Sequence, residues 1–263
     1  MSAHKKKPTG SNNGRSKQPI SAKTPSSGLW LYGYHAVAAA LQNPQREIYR
    51  LLLSKETAAE LPQKLIPAGL NYESAGRAEF EQLLPKGAVH QGIAALVSPL
   101  PGFYEEDLPE KKTSVVVILD QVTDPHNVGA VMRSAAAFDA DAVIITERHA
   151  PEATGTLAKA ACGALELLPL ITVSNLARTM QTLKERGYWC VGMDGNAEKT
   201  LRDAALPHKI ALIMGSEGYG LRRLTAQNCD FMVKLPISPK MESLNVSNAA
   251  ANALYDLIYK LDR

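Results

Sequence analysis

From residue 115 to residue 261 the chain alternates short apolar runs with helical segments, and this alternation constrains the fold more than any other feature. Residues 115–119, 142–145, 167–173, 189–193 and 210–214 are near-continuous apolar runs. A strand with one wet face would alternate apolar and polar residues, so these runs predict strands buried on both faces. Between them, residues 128–138, 154–162, 175–186 and 248–261 have helical apolar spacing. Ser174 or Asn175 is placed to cap the third of these helices, and Gly187 to stop it. Residues 231–235 add an edge or inner strand. The prediction is an α/β fold: a largely parallel sheet with helices on both faces.

In such a sheet, ligands bind in the crevice at the carboxyl ends of the strands. Three polar stations fall where an apolar strand ends. The first runs from Asp120 through Asp124, Pro125, His126, Asn127, Val128 and Gly129 to Arg133. The second is Gly215-Ser216-Glu217-Gly218-Tyr219-Gly220, and the third runs from Leu235-Pro236-Ile237 to Ser243-Leu244-Asn245-Val246-Ser247. Distant in sequence, they are able to converge on one site, which makes the chain an enzyme candidate.

Common nucleotide sites do not fit these loops. Leu119 is followed by Asp120-Gln121-Val122 where a dinucleotide fold needs a glycine fingerprint, and the spacing of Gly215, Gly218 and Gly220 does not supply one. No Lys-Ser/Thr follows those glycines, which removes the P-loop. Ser216 lies in Gly-Ser-Glu-Gly, outside the elbow pattern of a serine hydrolase.

The N-terminal part reads differently. In the first 28 residues six lysines and arginines occur with no acid, so the remaining 23 bases face 26 acids. That tail, rich in Ser, Asn, Gly and Pro, predicts disorder. A basic arm attracts phosphate backbones, or simply solubilises. Residues 29–98 read as a small α/β unit: a helix from Gly33 to Leu41, a strand at 48–53, a helix at 57–65, a helical turn at 80–84, and a glycine turn at His90-Gln91-Gly92 leading into a strand. Residues 99–112 combine prolines and charges without apolar period, a linker signature. Residues 113–263 form the larger domain. Cys162, Cys190 and Cys229 have neither zinc nor disulfide spacing, which predicts no metal and a reducing, cytoplasmic setting. No apolar run has membrane-span length.

The three stations together are similar to the three motifs of the SpoU/TrmH family of RNA ribose 2′-O-methyltransferases. The likeness rests on Asn127-x-Gly129 with Arg133, on Gly215-Ser216-Glu217-Gly218-x-Gly220, and on Ser243-Leu244-Asn245-Val246-Ser247. His90-Gln91-Gly92 also resembles the end of that family's small RNA-binding domain. The resemblance implies S-adenosylmethionine as cofactor, a deep trefoil knot in the C-terminal third, a homodimer and an RNA substrate. It implies cofactor contacts at Gly215, Leu235 and Leu244, with Met214, Gly195, Ile237 and Ser243 nearby. It implies catalytic roles for Arg133, Asn127, Glu217 and Asn245.

A guanidinium stays protonated in proteins, so Arg133 is assigned to stabilising the developing alkoxide and clamping a phosphate rather than to taking a proton. Glu217 either takes the proton through water or holds Arg133 in place. Ser243 either caps the last helix or meets the substrate. Arg222 and Arg223 either bind RNA phosphate or form a solvated face. The two-domain length resembles the branch of the family that methylates a guanosine of 23S rRNA. A tRNA methyltransferase, a non-catalytic RNA-binding factor of the same fold, and a metabolic α/β enzyme are the alternatives. Ser238-Pro239-Lys240-Met241-Glu242 departs from the family pattern, in which a glycine followed by a small or β-branched residue lies between Leu235 and Ser243.

Overall fold

The computed structural model describes residues 28–148 and 154–261. The tail read as disordered lies outside the described residues, apart from Gly28. The N-terminal unit contains β1 (Leu29–Tyr32), α1 (Tyr34–Gln42), β2 (Ile48–Leu53), α2 (Lys55–Glu60), β3 (Glu73–Ser74), α3 (Arg77–Leu83) and β4 (Ile93–Val97). Its sheet has the order β1-β4-β2-β3, with β4 antiparallel to both neighbours. The sequence reading has no strand before the first helix; β1 exists because its four apolar residues pair with the fully buried β4. The helix expected at 57–65 starts earlier, where the Ser54 side chain accepts a hydrogen bond from Thr57 N at 3.2 Å, and stops at Glu60. Pro62 prevents continuation, and residues 63–65 form a separate 3₁₀ turn.

The larger unit runs β5 (Ser114–Asp120), α4 (Pro125–Ala137), β6 (Ala142–Thr146), α5 (Gly155–Ala161), β7 (Leu170–Val173), α6 (Leu176–Glu185), β8 (Trp189–Met193), β9 (Lys199–Thr200), β10 (Lys209–Gly215), α7 (Arg223–Gln227), β11 (Phe231–Lys234) and α8 (Val246–Lys260). Its sheet has the order β7-β6-β5-β10-β8-β11-β9, and every pairing is parallel. Residues of β5 show why the apolar runs are continuous. Val115, Val117 and Leu119 enter one core while Val116 and Ile118 enter the core on the opposite face. On α8, Leu254 and Leu257 are core residues, 2% and 1% exposed.

The residues read as a linker are partly anchored. Arg186, at the end of α6, donates to the carbonyls of Glu105 and Leu108 and pairs with Glu110 at 3.0 Å. Leu108 is buried against the sheet.

The two sheets meet through α5. Arg46, before β2, pairs with Glu166 at 2.8 Å with both side chains almost fully buried, 1% and 2% exposed. Asn43 Nδ2 donates to the same carboxylate at 2.8 Å, and the Tyr32 hydroxyl lies 3.1 Å from Thr156 Oγ1. Gly155 is glycine because the units touch there: a Cβ would lie 2.3 Å from the Trp30 carbonyl oxygen and 2.7 Å from the Tyr32 ring. Gly155→Ala is therefore expected to destabilise the chain by about 1–3 kcal/mol, as overpacking does. Urea unfolding measures it, and an unchanged midpoint contradicts the close approach.

Candidate active site

Because all the large-sheet strands are parallel, β5, β10, β8 and β11 release their following loops at a single edge. The first two stations are adjacent, since Gly215 is the register partner of Asp120. Gly215 turns directly into a tight loop in which Ser216 and Gly220 exchange backbone hydrogen bonds at 3.2 and 3.0 Å. A Cβ on Gly215 would stand 2.2 Å from the Gly220 carbonyl carbon, so only glycine allows this return.

The three stations converge on Glu217. Its Oε1 accepts from Asn245 Nδ2 at 2.6 Å, from Asn127 Nδ2 at 3.4 Å and from Val246 N at 3.4 Å. Asn245 Nδ2 also donates to Asn127 Oδ1 at 3.0 Å. Glu217 Oε2 has no protein hydrogen-bond partner among the described residues. One carboxylate oxygen thus ties the loops together while the other stays free.

Helix ends supply two members of the trio. Asp124 caps α4 by accepting from His126 N at 3.0 Å, and Pro125 occupies the first helical position, so α4 starts before the expected residue 128. This puts Asn127 in the first turn. Asn245 caps α8, its Oδ1 accepting from Ser247 N at 2.9 Å and from Ser247 Oγ at 2.6 Å. The capping role considered for Ser243 belongs to Asn245, and α8 starts at 246 rather than 248.

Arg133 stands apart from this trio. Six residues beyond Asn127 on α4, it lies about 9 Å further along the helix axis and on another side of it. Its exposed guanidinium donates from Nη1 to Cys162 Sγ at 3.5 Å. The expectation that Glu217 holds Arg133 is corrected: the bound oxygen of Glu217 is taken by the two asparagine amides and the Val246 amide.

Arg222 is exposed, as the solvated reading has it, and in addition forms an ion pair that reading does not include. Its guanidinium pairs at 2.7 Å with Asp120, which is fully buried at the end of β5, and its backbone N donates to the same carboxylate at 3.1 Å. The signal was available in sequence, because an aspartate ending a two-faced apolar strand needs a cation. This ion pair ties the first station to the second.

The residues expected at the cofactor divide by burial. Met214 is 3% exposed, inside the core, and offers the edge only its backbone. Leu235 is half-buried beside that core, whereas Gly195, after β8, is open with no atom near its absent Cβ. Ile237 and Leu244 are 39% and 38% exposed, and Ser243 is exposed. Apolar side chains held out of the core at the carboxyl end of a parallel sheet, beside the open backbone of Gly195, fit a flat apolar ring such as adenine. The unusual Pro239 segment closes as a turn, with Met241 N donating to Ser238 O at 3.0 Å. Among the described residues no cluster of metal-ligating side chains occurs, and no helix is long and apolar enough to cross a membrane.

Comparison with known proteins bears directly on this edge. Residues 114–255 match the model of the SpoU rRNA Methylase family. The chain belongs to that family. Residues 30–102 match a second model, RNA 2′-O ribose methyltransferase substrate binding. Among its relatives is the 23S rRNA (guanosine-2′-O-)-methyltransferase RlmB of Salmonella typhimurium, 41% identical over 87% of this chain and 97% of that protein. The RlmB of Pseudomonas putida is 40% identical over 87% and 95%. The SpoU methyltransferase AviRb of Streptomyces viridochromogenes, solved with the cofactor AdoMet, has the same fold: TM-score 0.74 at 21% identity, covering 89% of this chain and 90% of that one.

Proposed function

We propose that this protein transfers a methyl group from S-adenosylmethionine to the ribose 2′-hydroxyl of a guanosine in 23S rRNA. The observation that carries the reading is the Asn127–Glu217–Asn245 assembly, built from all three family stations at one sheet edge. Near-full-length similarity to two RlmB enzymes supports the target.

Gly215, Leu235, Ile237, Ser243 and Leu244 hold the cofactor, with the Gly195 and Met214 backbones beside it. When bound, S-adenosylmethionine supplies an electrophilic methyl group. The protein's own task is to bring the 2′-hydroxyl in line and to stabilise its developing charge. Arg133 does the second, keeping its proton and clamping a neighbouring phosphate. Asn127 and Asn245 hold Glu217 still, and Glu217 Oε2 receives the hydroxyl proton through water.

Residues 29–98 serve as the RNA-binding domain, 99–112 as the linker and 113–263 as the methyltransferase domain, with a trefoil knot in its last third. The protein works in the cytoplasm as a homodimer. The aromatic patch of Phe138, Tyr255 and Tyr259 supports the dimer: the last two are 47% and 69% exposed, with rings 4.9 Å apart.

Mapping ribose methylation in total RNA from cells with and without the protein tests the function. Loss of one guanosine mark in 23S rRNA is expected. Loss of a tRNA mark instead reassigns the target, and an unchanged map with impaired ribosome assembly points to a binding factor. Glu217→Gln keeps an acceptor oxygen for the trio while removing the charge. It is expected to lower kcat about 10²- to 10⁴-fold, the range for a general base, with little change in KM for the cofactor. An unaltered kcat removes Glu217 from proton transfer.

A further inference from the structure

The small domain holds a cleft of about 1260 Å³ between the starts of α2 and α3 and the loop 85–92. One wall is aromatic. The His90 ring lies nearly parallel on Phe80, with centroids 4.1 Å apart and an interplanar angle of 19°. Phe80 is 1% exposed and forms the backing, whereas His90 is only half-buried and lines the cleft.

The hydrogen-bonding state of His90 is also set. Its Nδ1 accepts from Gly92 N at 3.1 Å, so in the neutral ring the proton sits on Nε2 as a donor. Burial, then the nearby Arg77 charge, push its pKa below the ordinary histidine value, against a smaller opposing effect of Glu81.

The loop bearing His90 is locked from two sides. Ser54 N donates to Gly92 O at 2.7 Å, and Thr57 Oγ1 donates to Gln91 O at 3.2 Å. Gly92 has φ +70° and no room for a side chain, since a Cβ would lie 2.3 Å from Thr57 Oγ1. On the other side, Gln91 Oε1 accepts from Lys159 Nζ of α5, in the methyltransferase unit. The cleft is therefore built onto the catalytic unit through the residue adjacent to its aromatic wall.

Charge selects the occupant. Lys55 and Lys86 line the cleft and have no ion-pair partner among the described residues, while Arg77 is already paired with Glu81 at 2.6 Å. Glu56, the other acid of the lining, is hydrogen-bonded by its own backbone amide and by Ser54 and feels the Lys55 charge. An open aromatic face, a ring N–H donor and two lysines outside any salt bridge match a base, its edge and its phosphate. A paired base in a duplex presents no free face, so the match is to an unstacked one.

We propose that this cleft takes one unpaired nucleotide of the RNA substrate, its base laid on His90 over Phe80 and its phosphate held by Lys55 and Lys86. The proposal rests on the methyltransferase reading above and adds a second grip on the RNA, away from the sugar that is methylated.

The test uses the full-length protein and two labelled RNA probes of equal length, a hairpin with an unpaired loop and a blunt duplex. Tighter binding of the hairpin is expected. His90→Ala should weaken hairpin binding roughly 5- to 100-fold, the effect of losing one stacking platform, and leave duplex binding unchanged. His90→Phe should keep most of the affinity, which separates loss of the platform from loss of the fold. Replacing a loop uridine with 4-thiouridine should give a photocrosslink in the wild-type chain to the peptide holding Lys86 and His90. Equal binding of both probes, or crosslinks confined to the large domain, overturns the cleft. Competition by guanosine monophosphate alone, without hairpin preference, reassigns it to a free nucleotide and also overturns it. Hairpin binding that responds to His90 in a protein unable to methylate any RNA would instead defeat the catalytic reading and leave the cleft standing.

Discussion

Arg133→Ala is expected to slow methyl transfer by about 10²- to 10³-fold, the loss seen when one charge-stabilising donor is removed from an active site. Cofactor binding, measured by calorimetry, should barely change, because Arg133 lies on α4 and bonds Cys162 rather than any residue of the proposed cofactor shelf. Arg133→Lys should recover only part of the rate. An ammonium restores the charge but lacks the planar fork that spans an alkoxide and a phosphate together. Full activity in the lysine variant would show that a single point charge suffices and would end the clamp assignment. Unchanged activity in the alanine variant would remove the arginine from the chemistry altogether.

Arg46→Ala is expected to destabilise the folded chain by about 3–5 kcal/mol, because it strands the Glu166 carboxylate in the boundary between the two units. Both side chains are nearly inaccessible, so water cannot replace the lost guanidinium. Arg46 also donates from Nη1 to the Ser98 carbonyl at 2.5 Å, fixing the start of the linker, so the substitution frees two contacts at once. Guanidinium unfolding followed by tryptophan fluorescence reads the effect, since Trp30 belongs to the small sheet and Trp189 to the large one. Replacing Arg46 by Met together with Glu166 by Leu should return most of the loss, since apolar pairs of similar volume commonly replace buried ion pairs without penalty. A midpoint unmoved by Arg46→Ala means the units do not depend on this contact.

Much of this architecture is legible in the sequence. The apolar runs of β5, β8 and β10 identify strands buried on both faces, because the two cores that sandwich the sheet admit a polar residue only at a strand end where it finds a partner, as Asp120 does. Motif order identified Asn127, Glu217 and Asn245, and the structure brings these three together. What sequence could not give was which atom meets which. Asp120 and Arg222 are 102 positions apart, and only the parallel pairing of β5 with β10 makes them neighbours. Helix starts were misplaced at α4 and α8 for one reason. Asp124 and Asn245 cap by hydrogen bonds to backbone amides two residues on, a local geometry that apolar periodicity does not register. The strands β1, β3 and β9 escaped because two to four residues carry no periodic signal, and their existence depends on partners elsewhere in the chain.

Asn245 has two attachments at once: it starts the last helix and grips Glu217. That helix is held in the core by Leu254 and Leu257. The Asn127–Glu217–Asn245 assembly therefore depends on how firmly α8 is seated, and a substitution that loosens Leu254 or Leu257 reaches Glu217 through the helix cap without touching the sheet edge itself.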